Sequence, residues 1–174
     1  VIPVTTAGTE TMVGAPAEWH VNVGQSAARR DEGVLSCVGL GSCVALIVYE
    51  RASRIGAVAH ILLPHEALSR TAGGPARYAT TAVRHLLEEM RALGAVAAPE
   101  ARLVGGASMF ASLLKGGAVN MGERNVVATR RALVAAGVPL VGEDVGGDYG
   151  RSAWLDVATG VVRVTSIRHA ERFL

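Results

Sequence analysis

A chain of 174 residues, half of them hydrophobic and 18% charged, carries enough apolar material for one sizeable core, and its length fits a single domain best. A formal net charge of +2, with Arg29–Arg30 and Arg130–Arg131 as short basic pairs, excludes a strand-tracking nucleic-acid surface, which needs a basic stripe interleaved with aromatics. High apolar content at low net charge excludes a disordered chain, and no apolar run reaches the roughly 20 residues of a membrane span.

Val1 to Pro16 lack the charged start and apolar core of an export signal, so the cytoplasm is the expected location. Residues 1–17 read as a flexible N-terminal arm ahead of one domain over 18–174. Trp19 to Val23 and Gly33 to Val38 read as short strands, and Gly39-Leu40-Gly41 as a tight break. Val44 to Tyr49 is a strong strand former, Arg51 to Arg54 a turn, and Ile55 to Leu63 a further apolar strand stopped by Pro64. After the loop at Gly73-Gly74-Pro75, Ala76 to Leu93 reads as a helix whose apolar face is Ala79, Val83, Leu86, Leu87 and Met90, with Gly94 as its stop. Arg102 to Gly105 reads as an interior strand, Met109 to Leu114 as a short helix, and Asn125 to Ala136 as a second long helix ended by Gly137. Leu140 to Val145, Ser152 to Val157 and Val161 to Thr165 read as closing strands. The order predicts an α/β fold: one domain with a layered mixed sheet packed with two long helices, not regular βαβ alternation.

The densest chemical signal is Cys37-Val38-Gly39-Leu40-Gly41-Ser42-Cys43. Two glycines let the chain turn sharply into a strand that starts beside Cys43. Such a turn exposes a thiol and aims backbone N–H groups near it, the nucleophile and oxyanion donors of acyl transfer. Ser42 and Cys43 are the backbone oxyanion candidates. A thiol at its ordinary pKa needs a base or a cation. His60 is the best candidate, because antiparallel pairing of its strand with the one from Cys43 brings the two together. The bland readings are a small buried Cys43 without function and a hydrogen-bonded core His60. Cys37 and Cys43 also allow a structural or reversible disulfide. With His60 they allow a metal site, for which no Asp or Glu lies nearby in sequence. A simple hairpin over 39–42 sets Cys37 opposite Val44.

These segments resemble the CheD family, the chemoreceptor glutamine deamidases of bacterial and archaeal chemotaxis. The resemblance covers about residues 18–168. It is carried by Gly39-Leu40-Gly41-Ser42-Cys43-Val44, Gly56-Ala57-Val58-Ala59-His60 and Leu63-Pro64. It continues through Gly105-Gly106-Ala107-Ser108-Met109-Phe110, Gly122-Glu123-Arg124-Asn125-Val126 and Gly146-Gly147-Asp148-Tyr149-Gly150-Arg151. The resemblance implies a layered α/β fold similar to the catalytic domain of cytotoxic necrotizing factor toxins. It implies a protein-glutamine glutaminase without a cofactor or a metal, Cys43 as nucleophile and His60 as base. A chemoreceptor is the implied substrate and a CheC-type phosphatase a possible partner. The family's third residue is a threonine six positions before the nucleophile. Cys37 stands there in this chain, and a thiol is the weaker hydrogen-bond partner. Three routes follow: Cys37 orients His60 poorly, a backbone carbonyl or Ser36 replaces it, or Cys37 bonds to Cys43 under oxidation. The competing functions are an adaptor for a phosphatase or receptor with weak or no catalysis, and hydrolysis of receptor methyl esters.

Overall fold

The structure, a computed structural model, describes residues 16–109 and 120–174. The expected arm at 1–17 and the expected short helix at 109–114 fall almost entirely outside the described residues.

Among the described residues, ten strands form two five-stranded sheets. The outer sheet has the order β1 (Glu18–His20), β3 (Val34–Leu40), β8 (Arg151–Asp156), β9 (Val162–Ser166), β10 (Arg172–Phe173). The central sheet runs β2 (Ser26–Arg30), β5 (Ile55–Ile61), β4 (Val44–Glu50), β6 (Glu100–Gly105), β7 (Leu140–Val145). Two helices, α1 (Ala79–Ala92) and α2 (Met121–Ala136), cover the far face of the central sheet. The layers are therefore sheet, sheet, helices.

β4 and β5 read as unbroken apolar runs because both of their faces are buried. Alternate residues feed two cores. Val44, Leu46, Val48, Ala57, Ala59 and Ile61 pack under Leu86, Met90, Val126 and Leu133 of the helices. Ala45, Ile47, Tyr49 and Val58 point the other way, against Leu35, Cys37, Ala153, Leu155 and Val164 of the outer sheet.

Three differences from the sequence reading are physical. The expected strand over 19–23 stops at His20. The chain then turns through Asn22 to Gln25, whose N–H donates to the Asn22 carbonyl at 2.9 Å, and crosses to the central sheet as β2. β2 itself, Ser-Ala-Ala-Arg-Arg, carries no β-branched or aromatic residue and exists through its antiparallel pairing with β5. β3 and β4 are not a hairpin: the break at Gly39–Gly41 carries the chain from one sheet to the other, so Cys37 pairs with Ala153 and not with Val44.

Helix α1 is shorter than expected, because Tyr78 is extended and Pro75–Arg77 form a separate helical turn. Helix α2 starts four residues before Asn125. Asn120 caps it, its side chain accepting from the Glu123 N–H at 3.1 Å. Gly122 makes the early start possible. A Cβ there would lie 2.4 Å from the Gly106 carbonyl oxygen and 2.5 Å from that of Ala107, so this turn of α2 rests directly on the backbone after β6. Among the described residues, no helix is long and apolar enough to cross a membrane.

Candidate active site

β4 and β5 pair antiparallel with Ala45 opposite His60 and Val44 opposite Ile61. Cys43 is the residue just before β4. By the two-residue alternation it shares the sheet face of Ala45, and His60 shares it from the neighbouring strand. Cys43 and His60 are thus diagonal neighbours across one strand pair, the relation that leaves long side chains within reach of each other. Both lie on the face turned toward the outer sheet. His60 is 3% exposed, while Cys43 is half-buried at the rim of the inter-sheet core.

The imidazole is held from one side. His60 Nδ1 lies 3.1 Å from the Val21 carbonyl oxygen. A carbonyl only accepts, so in the neutral ring Nδ1 carries the hydrogen and Nε2 keeps its lone pair. Among the described residues, buried Nε2 has no partner. The Val21 carbonyl reaches His60 because the segment crossing from β1 to β2 passes over the end of β5. There the Gly24 N–H donates to the His60 carbonyl at 2.8 Å and the His60 N–H donates to the Gln25 carbonyl at 3.0 Å.

Cys37 approaches the same carbonyl. Its Sγ donates to Val21 O at 3.7 Å from inside the outer sheet. Ser36 alternates to the opposite face, where its hydroxyl lies 2.7 Å from His20 Nδ1. Cys37 and Cys43 are both free thiols.

Burial sets the protonation states. It lowers the pKa of His60, against the opposing pull of the Val21 hydrogen bond, so the imidazole is neutral near pH 7. Burial raises the Cys43 thiol above its ordinary 9.0. It pushes Cys37 up to about 12, with a smaller contribution from charge on Cys43. The resting pair is a thiol and a neutral imidazole.

The turn that presents Cys43 is fixed from three directions. The Gly106 N–H donates to the Cys43 carbonyl at 2.7 Å and the Ala107 N–H to the Gly41 carbonyl at 2.8 Å. Asn125, fully buried on α2, donates through Nδ2 to the Ser42 carbonyl at 2.9 Å and to the Leu62 carbonyl at 3.0 Å. Gly105 has φ +107°, and a Cβ there would lie 2.4 Å from the Cys43 oxygen, so only glycine lets β6 come this close. Met109 covers the outer side of the turn, its sulfur 2.9 Å from where a Cβ on Gly41 would stand.

The other histidines are engaged elsewhere. His85 meets Ser26 and Glu89, His169 packs on Tyr149, and His65 lines a surface groove with Glu123 and Arg124. Arg151 is buried, donating to Asp144 at 2.7 Å and to the carbonyls of Gly146 and Tyr149, which holds the 146–150 loop in place. Neither Cys43 nor His60 lines the cavities at residues 66–78 or along α2.

Residues 62–166 match the family described as CheD chemotactic sensory transduction. Relatives extend the likeness over most of the chain. The chain is 42% identical over 151 residues to the probable chemoreceptor glutamine deamidase CheD of Pyrococcus abyssi, covering 86% of this chain and 92% of the relative. The chain belongs to the CheD family. It is also 39% identical over 157 residues to the chemoreceptor glutamine deamidase CheD of Thermotoga maritima, covering 87% and 94%. The probable chemoreceptor glutamine deamidase CheD 2 of Geobacter metallireducens is 41% identical over 152 residues, covering 85% and 93%. The family match begins at Leu62, just past His60. The relatives reach further: coverage of 86% leaves too few unmatched residues for the stretch from Cys43 to His60 to fall outside. Membership in CheD accounts for the layered fold that the sequence resemblance implied.

The Val21 carbonyl and the Asn125 side chain escaped the sequence reading as parts of the site. A backbone carbonyl leaves no side-chain signature. Asn125 belonged to a recognised segment, but nothing in the sequence says that its amide spans two strand ends.

Proposed function

We propose that this chain, with residues 18–174 as its catalytic domain, is a cytoplasmic protein-glutamine deamidase that hydrolyses glutamine side chains of a chemoreceptor to glutamate and ammonia. The observation that carries the reading is the diagonal pair itself: a half-buried Cys43 just before β4 and, one strand over on the same sheet face, a buried imidazole whose Nε2 has no hydrogen-bond partner among the described residues. The half-buried position of Cys43 at the rim of the inter-sheet core suits a side chain presented by another protein.

His60 Nε2 takes the thiol proton as Cys43 Sγ attacks the carboxamide carbon of the substrate. The C=O electrons move to oxygen, and the backbone N–H groups of Ser42 and Cys43 receive the oxyanion. Among the described residues neither N–H donates to another acceptor. The tetrahedral adduct collapses with the proton passing from His60 to the departing nitrogen, which leaves as ammonia. His60 then draws a proton from water, the hydroxide attacks the thioester, and glutamate leaves with Cys43 restored as a thiol. The Val21 carbonyl takes the orienting role that a third side chain fills elsewhere. It holds Nδ1–H and stabilises the imidazolium while it exists.

The test is mass analysis of a receptor fragment after incubation with the wild type and with Cys43→Ala, alongside ammonia release. The expected result is an amide-to-acid mass gain with the wild type and none with the variant. Turnover retained in Cys43→Ala overturns the nucleophile. Loss of a methyl group instead of ammonia assigns the site to ester hydrolysis, and unchanged peptide with measurable receptor binding assigns the chain to the adaptor role.

A further inference from the structure

Among the described residues, Asn125 is the one buried side chain whose hydrogen bonds tie the nucleophile's turn to the end of the base's strand. It is completely excluded from solvent, and Nδ2 spends both of its hydrogens on the carbonyls of Ser42 and Leu62. The two acceptors settle which way the amide faces, since only its NH2 group satisfies two carbonyls. The other end, Oδ1, is buried without a partner among the described residues, an arrangement that packing alone does not favour.

What Asn125 holds is the peptide between Ser42 and Cys43. No peptide bond in the described residues is cis, and in a planar trans peptide the C=O and the following N–H point in opposite directions. Fixing the Ser42 carbonyl toward α2 therefore fixes the Cys43 N–H away from α2. The next carbonyl, that of Cys43, is held by the Gly106 N–H at 2.7 Å, so the residue is clamped on both sides. The Cys43 N–H is left with no acceptor among the described residues. Resting on the deamidase reading, we infer that Asn125 is a positioning residue that orients the Cys43 backbone N–H as the oxyanion donor of the reaction. The Cys43–His60 pair has supports of its own that remain when Asn125 is removed, the strand pairing of β4 with β5 and the Val21 carbonyl.

Two alkylating reagents separate these functions. Iodoacetamide loses iodide by direct attack of sulfur and develops no oxyanion. A glutamine-mimicking peptide chloromethyl ketone passes through a tetrahedral adduct that does. In Asn125→Ala, chloromethyl ketone inactivation and kcat for ammonia release fall about a hundredfold, the cost of losing one oxyanion donor. Iodoacetamide alkylation of Cys43 keeps its pH profile and stays within about threefold of the wild type, as for a group that acts only on the transition state. Asn125→Ser retains a single hydroxyl donor and shows the same selective loss to a smaller degree.

Equal losses with both reagents place Asn125 in the support of the Cys43–His60 pair and overturn the inference. Unchanged chloromethyl ketone inactivation overturns it as well. Should both variants fail to fold, the wild type decides. A peptide aldehyde bound at Cys43 shifts the Cys43 amide proton resonance downfield if that N–H is the donor, and the absence of a shift overturns the assignment. Wild-type protein that reacts with both reagents yet releases no ammonia from receptor peptides sinks the deamidase reading alone, and the reagent ratio still judges Asn125.

Discussion

Cys37 and Cys43 bracket one Gly-rich break, and the two ends of that break treat the same side chain in opposite ways. Cys37 lies inside β3, 1% exposed, its sulfur against a backbone carbonyl and its pKa pushed up to about 12. It is a small apolar residue of the inter-sheet core. Cys43 lies just outside β4, half-buried, on the same sheet face as a histidine whose free nitrogen has no partner among the described residues. Change of sheet across six residues separates a packed thiol from the proposed nucleophile. Cys43 is not a preformed thiolate either. Burial raises Cys43 and lowers His60, so the advantage of Cys43 over Cys37 is access and a base, not resting charge.

Removing the base breaks the contrast most severely. His60→Ala leaves Cys43 half-buried but as unassisted as Cys37, and ammonia release is expected to fall about a thousandfold, within the range of general-base contributions. A loss smaller than about tenfold gives the base role to another group. Far-UV and near-UV circular dichroism of the variant shows whether the three-layer packing survives.

The next effect is on pH dependence. The pKa of His60 lies below its ordinary 6.5, so the neutral, proton-accepting ring predominates above that value. As pH falls through the lowered pKa, the ring takes up a proton and deamidation declines. The acid limb of kcat/KM is therefore displaced below pH 6.5. Cys43 titrates above 9.0, so iodoacetamide alkylation keeps rising with pH beyond that point. An alkylation rate that is already level at acid pH reports a thiolate–imidazolium pair and breaks the neutral-pair description.

The sequence pointed to the proposed catalytic pair more clearly than to the surroundings of the candidate site. Cys43 and His60 stood out because β4 and β5 are strong apolar strands in antiparallel register, a local relation that short-range patterns carry. The separation into two sheets was not readable. Gly39-Leu40-Gly41 signals a turn equally well whether the next strand pairs back or crosses to another layer, and only the pairing of Cys37 with Ala153, far along the chain, decides it. β2 was invisible for a related reason, since Ser26 to Arg30 owe their strand to β5 and not to their own preference. The sequence pattern sets Val21 inside a strand. Its function in the site comes from the backbone bending at Asn22 to reach β2, and that bend delivers the carbonyl to His60.

The smallest expected effect tests the quiet end of the comparison. In Cys37→Thr, a β-branched side chain enters a strand that suits it, and its hydroxyl replaces the thiol as a donor to the Val21 carbonyl. That oxygen has two lone pairs, so it serves the new hydroxyl and His60 Nδ1 together. The orientation of His60 does not change, and kcat is expected to stay within about threefold of the wild type. Hydrogen peroxide sharpens the point. Oxidation of Cys43 to a sulfenic acid is followed by a disulfide only if a second thiolate attacks it. Cys37, with a pKa of about 12, supplies almost none at neutral pH. Wild type and Cys37→Thr should therefore lose activity to peroxide at the same rate, and mass analysis of the oxidised wild type should find no Cys37–Cys43 bond. Reductant-reversible inactivation in the wild type that becomes irreversible in Cys37→Thr would show that Cys37 reaches Cys43 after all. The break between the sheets would then be mobile enough to erase the difference between its two ends.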